Sequence, residues 1–240
     1  MTSIALVGID GAGKSTIASA VAARLGVPAR VVYMGVNVET SSLMLPTTRL
    51  LLALKQRRGG RPDMVANFAR DCRGGVRGNV VTAGRLAVWM SEEWFRQAVA
   101  LWHQARRRLV IFDRHFAADE RADDAALSRG GRSSCWAARL HEFVLDRLYP
   151  RPDLIVALDG PAATLLARKT EADDTDVDTL EARRRAYLDL ARTTPGSAVV
   201  DATGPLDDVV AVVTATIQSF LAGRAATRTA EPSTEQGTVR

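Results

Sequence analysis

The segment ALVGIDGAGKSTIA, from Ala5 to Ala18, decides how the rest of the chain is read. It begins inside an apolar run, Ser3 to Ile9, crosses a glycine-rich turn, and continues as KSTIASAVAARLG with Ile17, Val21 and Leu25 at helical spacing before Gly26. An unbroken apolar run of strand length fits the centre of a parallel sheet covered on both faces. Gly8, Gly13, Lys14 and Ser15 satisfy G-x-x-x-x-G-K-[ST] between that strand and that helix. Glycines let the backbone curl so that successive N–H groups point at phosphate oxygens, and the helix adds the positive end of its dipole. The expected phosphate-binding residues are therefore Gly8, Gly11, Ala12, Gly13, Lys14, Ser15 and Thr16. Lys14 is expected to reach the β and γ phosphates of ATP, and Ser15 to hold Mg²⁺.

Outward from this segment, strands alternate with helices. ARVVYMG (Ala29 to Gly35), RLVIFD (Arg108 to Asp113), the end of YPRPDLIVALD at Asp159, and SAVVDA before Gly204 read as further strands. Between them, TRLLLALKQRR reads as a helix. Val80 to Arg107 reads as one long helix, with Leu86, Trp89, Met90, Trp94, Ala98 and Leu101 largely on one face. AADERADDAALSRGGRSS reads as a polar interval, followed by a helix from Trp136 to Leu148. PAATLLARK starts a helix with proline near its first position, and LEARRRAYLDLART and PLDDVVAVVTATIQSFLAG read as helices. The alternation predicts an α/β fold, a parallel sheet of about five strands flanked by helices. One domain is expected over residues 1–222, with residues 223–240, lacking hydrophobic period, as a disordered tail.

Composition narrows the class further. The 240 residues, 47% hydrophobic and 25% charged, suit a globular domain with a sizeable core. A net charge of +5, carried mostly by arginine, suits small polyanions such as nucleotides as well as it suits nucleic acid. Cys72 and Cys135 form no CxxC pair and read as free thiols of a reducing compartment. The first strand starts within three residues of Met1, which leaves no room for a signal peptide, and no apolar run is read as approaching the roughly 20 residues of a membrane span. A cytoplasmic protein is expected.

Other nucleotide-using classes lack their marks: no N-K-x-D base-reading motif and no L-S-G-G-Q-like signature occurs. What the chain carries is VIFDRHF, Val110 to Phe116, a strand whose end delivers Asp113, Arg114 and His115. Residues just past the carboxyl ends of strands line the ligand crevice of an open α/β sheet. An acid there can hold water on Mg²⁺, while a guanidinium can bridge two anions. GIDGAGKST together with DRH resembles the thymidylate kinase family of nucleoside monophosphate kinases, and PRPDLIVALDGPAATLLARK and RRRAYLDLA are similar to that family's lid entry and closing segment.

The resemblance implies a three-layer P-loop kinase fold with a lid at about residues 168–180. It implies transfer of the γ phosphoryl of ATP to a small acceptor, a nucleoside monophosphate first. A nucleoside or sugar-like hydroxyl is the alternative, and a low-turnover nucleotide-binding regulator is the reading of another class. The implied catalytic residues are Lys14, Arg114, Asp10 and Arg168 (or Lys169), with Asp113 and Ser15 at the metal. Asp10, Arg96, Arg114 and His115 are implied at the acceptor. A homodimer through the helix from Val80 is also implied.

Departures from that pattern cluster on the acceptor side. No R-E-P-G-G type segment follows the second strand; YMGVNVETSSLMLPTTR stands there instead. Arg96, 17 residues before Asp113, is the nearest candidate for the family's helical arginine. The lid holds the acidic EADDTDVD after Arg168 and Lys169. Arg57, Arg58, Arg61, Arg70, Arg73 and Arg77 read first as a solvated connection, second as a flap over a polyanion and a distant third as a nucleic-acid contact, so a nucleic-acid partner is not expected. Trp89, Trp94 and Trp102 read as core rather than a stacking platform, and His103 and His141 as helix residues without partners.

Overall fold

The three most apolar runs lie side by side at the centre of one sheet. In the computed structural model, which describes residues 2–35, 43–50, 75–127, 136–168 and 176–230, β1 (Ser3–Val7) pairs in parallel with β3 (Leu109–Asp113) on one edge and β4 (Leu154–Asp159) on the other. β2 (Ala29–Tyr33) and β5 (Ala198–Asp201) complete an all-parallel sheet in the order β2-β3-β1-β4-β5. Every residue of β1 and β3 is buried, as their unbroken apolar sequences require.

Seven helices stand among the described residues, α1 (Lys14–Arg24), α2 (Gly75–Ala105), α3 (Phe116–Leu127), α4 (Trp136–Arg147), α5 (Ala162–Leu166), α6 (Val177–Thr193) and α7 (Leu206–Ala230), and residues 46–50 are also helical. α1 and α7 pack together on one face of the sheet, while α2 and α6 cover the other. α3 packs along α6, and α4 along α2. The expected three layers are present.

The sheet order reverses direction at β1. Its outgoing connection runs to β2 on one side, whereas the connection leaving β3 runs to β4 on the other. Ligands of open α/β sheets bind in the crevice at such a point. The β1–α1 turn and the end of β3 therefore share one crevice, with Leu6 in register with Asp113.

Three expectations are corrected. The interval read as polar from Ala117 holds α3, whose buried face is Ala118, Asp119 and Ala122. Alanine and acid on the inner side erase the hydrophobic period that marks a helix. α7 continues to Ala230, so the first part of the segment read as tail is helical, and Arg224 pairs with Asp153, which also accepts the Ser3 N–H at 2.8 Å. Within α7, Leu206–Thr227 is 22 residues long with mean hydropathy 1.5, long and apolar enough by composition to cross a membrane, contrary to the reading that no run approached that length. Valines, alanines, Ile217, Phe220 and Leu221 carry that score, and Val209, Val210, Val213 and Ile217 are buried in the core.

Of the three tryptophans of α2 read as core, Trp94 and Trp102 are surface residues. Trp94 is 37% exposed and meets Tyr149 edge-on, and Trp102 is 49% exposed beneath the Arg106 guanidinium. Cys72, Cys135, Lys169 and most of the arginine-rich stretch lie outside the described residues.

Candidate active site

The β1–α1 turn has the shape the motif demands. Gly11 has φ +87°, and a Cβ there would lie 2.1 Å from the Leu165 carbonyl oxygen, so no other residue fits. α1 begins after Gly13 without any side-chain cap, which leaves the N–H groups of its first turn facing the crevice. Ser15 and Thr16 are exposed there, while Ala12 packs beneath.

Lys14 is buried and folds back over the turn, donating to the carbonyls of Gly8 (2.8 Å) and Ile9 (2.7 Å). Burial, with Arg114 nearby, pushes its ammonium down to about 8, against the pull of Asp10, Asp119 and Asp113. A cation held in this way has a site waiting for more negative charge than the protein supplies.

β3 delivers the second group. Asp113 is buried, and its Oδ1 has no hydrogen-bond partner among the described residues. A buried carboxylate oxygen left unpaired carries a desolvation cost of about 1–3 kcal/mol. Beside a phosphate loop, that orphan oxygen and the exposed Ser15 hydroxyl are a donor set suited to Mg²⁺ or its bound water.

Arg114 follows in the left-handed region, φ 73°, with its N–H on the Leu6 carbonyl at 3.1 Å. A non-glycine residue held there costs on the order of 1–3 kcal/mol. The turn throws its guanidinium across the crevice onto Asp10, at 2.5 Å. Burial alone would raise Asp10, but Arg114, Lys14 and Arg183 outweigh it and hold the carboxyl well below its usual range. Asp119 and Asp10 in turn hold Arg114 firmly charged despite burial.

Sequence reasoning missed a third group, on α3 and α6. Asp119 is buried and accepts the Tyr187 hydroxyl at 2.7 Å, and burial raises its carboxyl against Arg114, Lys14 and Arg183. One turn on, Asp123 pairs with Arg183. The spacing of Asp119 and Asp123, four residues apart on DERADD, was the available signal.

The remaining sequence candidates sit as follows. Arg96 is 1% exposed; it donates to the Gly35 carbonyl at 2.8 Å, approaches Glu92 at 3.5 Å and lies between the Tyr33 and Phe116 rings. Gly35 lets Tyr33 and Arg114 approach on its other side, because a Cβ there would come 2.3 Å from the Tyr33 hydroxyl and 2.5 Å from the Arg114 side chain. His115 is 3% exposed, packed against Phe112 and Tyr149, and burial pushes it down to about 4, so it is a neutral packing residue near neutral pH rather than an open contact. Arg168 donates to the carbonyls of Ala202 (2.6 Å) and Thr203, in the loop after β5, which places its guanidinium on that loop rather than beside Lys14. His141, read as unpartnered, is held by Glu93 at 3.0 Å and Glu120 at 3.2 Å under the Trp89 ring.

With this geometry in view, the comparisons are informative about fold. No family model matches the chain. Among solved structures, it is similar to deoxyadenosine kinase from M. mycoides, determined with dCMP and a flexible dCDP bound as products. The TM-score is 0.54 at 16% sequence identity, over 91% of this chain and 100% of that one. The fold is that of a P-loop kinase: five parallel strands flanked by helices.

Proposed function

We propose that this chain catalyses transfer of the γ phosphoryl group of MgATP to a small nucleoside-type acceptor. The observation that carries the reading is the meeting, at the reversal point of the sheet, of an uncapped phosphate loop with a buried Lys14 and an Arg114–Asp10 pair 2.5 Å apart. Phosphoryl transfer asks little covalent work of a protein; positioning and charge neutralisation do most of it. Lys14 exchanges its two carbonyl partners for phosphate oxygens, together with the N–H groups of the first turn of α1. Asp113 and Ser15 would hold Mg²⁺, which when bound neutralises charge on the phosphates. Arg114 holds donor and acceptor together against their repulsion. Its strained turn fixes that guanidinium before substrate arrives.

The resemblance to thymidylate kinases favours a nucleoside monophosphate as acceptor. A second reading, an acceptor hydroxyl, draws support from the charges. Three carboxyls, Asp10, Asp119 and Asp123, face three cations, Arg114, Arg183 and Lys14, so among the described residues the acceptor side has no surplus cation for a phosphate dianion. A hydroxyl needs a base. Asp10, held far down by Arg114, is a poor one; Asp119, raised by burial, is suited to take that proton. The likeness to a deoxyadenosine kinase agrees with this second reading.

For assembly we propose a homodimer through α2, which exposes Val80, Leu101 and Trp102; sedimentation velocity checks it. A cytoplasmic location and the absence of nucleic-acid partners complete the proposal. The test of the activity is ADP release from MgATP with nucleosides and their monophosphates as acceptors, Lys14→Ala serving as blank. Turnover that requires the acceptor's phosphate supports the first reading, and turnover with the bare nucleoside supports the second.

A further inference from the structure

A kinase that transfers a phosphoryl group benefits from a cation on the group in flight, and the residue that sequence nominates for this, Arg168, is committed to the carbonyls of the loop after β5. Arg183 is differently placed. It stands on α6, and its NH2 group pairs with Asp123 of α3. Its Nε is buried and has no acceptor among the described residues. Its charge is felt at Asp10 and Asp119, the carboxyls that also surround Lys14 and Arg114. The Asp123 side chain is 33% exposed, so water can reach its carboxylate when the guanidinium leaves.

We propose that Arg183 is a catalytic residue: its guanidinium leaves Asp123 and contacts the transferring phosphoryl group, offering the fork of donors that one orphan N–H already advertises. This rests on the kinase reading above. In the step, the bond from the acceptor oxygen to the γ phosphorus forms as the bond to the β–γ bridging oxygen breaks, and ADP leaves with that electron pair. Arg183 gains and loses no proton.

The experiment compares Arg183→Ala, Arg183→Lys and Asp123→Asn by kcat and by KM for MgATP, with and without millimolar guanidinium ion, and with melting curves for each. Water serves as acceptor where no better one is found. Arg183→Ala is expected to lower kcat by roughly 100-fold or more while KM for MgATP stays within about threefold, and added guanidinium is expected to restore at least about tenfold. Arg183→Lys keeps the charge but loses the fork, and falls by about tenfold or more. Asp123→Asn takes the charge out of the same tie between α3 and α6, yet costs far less turnover.

Arg183→Ala turning over within threefold of the unsubstituted chain overturns the proposal and leaves the kinase reading intact. So do equal losses in Arg183→Ala and Asp123→Asn with no rescue by guanidinium, since that pattern belongs to a tie between helices. No ADP formation by the unsubstituted chain above the Lys14→Ala blank overturns the kinase reading itself, and this inference with it.

Discussion

Lys14 and Arg114 carry different kinds of cost into the crevice. Lys14 is desolvated to about 8, so near pH 8 half the molecules hold a neutral amine in the absence of ligand. Phosphate binds the charged form, and linkage then ties affinity to pH. The Kd for MgADP is expected to be flat below pH 8 and to rise above it, by up to about tenfold per pH unit, while Lys14→Arg shows no such rise; titration calorimetry between pH 7 and 9.5 reads both. Arg114 stores its cost in the backbone, at φ 73°. Arg114→Ala and Arg114→Gly are both expected to lose about 10³-fold in kcat with MgATP binding retained. Glycine relieves the left-handed turn, so its variant should be the more stable of the two by about 1 kcal/mol in urea. Equal stabilities would show that the turn carries no strain.

At the scale of elements, sequence legibility follows the physics of each segment. The phosphate loop is local and covalent in its spacing, so Gly8 to Thr16 could be read directly. The interior strands were legible because burial on both faces leaves β1 and β3 no polar alternation. α3 was not, because its inward face is Ala118, Asp119 and Ala122, two small core residues around a buried acid that leave no strong hydrophobic period. α6 hides its function in a run of three arginines: Arg183 turns to Asp123, whereas Arg184 turns to Asp159 and Glu181. Spacing alone does not separate such neighbours.

The His141 cluster was invisible for the same reason, since its acids come from α2 and α3 while the histidine comes from α4. Burial opposes the charge on His141, but Glu120 and Glu93 together raise it to about 10, well above the ordinary 6.5. A folded pKa above the unfolded one gives stability that is fully present below about pH 6.5 and lost as pH rises through 10. Stability is therefore expected to fall between pH 6.5 and 8 by up to about 1 kcal/mol per pH unit, and His141→Gln should remove that slope. Lys14 titrates with the opposite sign above pH 8, so the lower window isolates the cluster. A slope unchanged in His141→Gln would assign it to other groups.

Across the whole molecule, the sheet order places the phosphate-loop end of β1 beside the end of β3, and α3 and α6 close the crevice with acids and arginines that the resemblance did not supply. The donor side thus follows its sequence motif closely, while the acceptor side is built from residues that only the fold brings together. That division is why the sequence supports a proposal for the reaction class and leaves the acceptor open: Asp119 and Tyr187, 68 positions apart, meet only because α3 and α6 pack together, as do Asp123 and Arg183. The central claim is acceptor-dependent phosphoryl transfer, and the most direct measurement is ADP formation from MgATP with and without nucleosides and nucleoside monophosphates. The account predicts that at least one of these acceptors raises ADP formation well above the rate in its absence, and that Lys14→Ala abolishes the increase. ADP formation indifferent to every acceptor, or unchanged in Lys14→Ala, contradicts it.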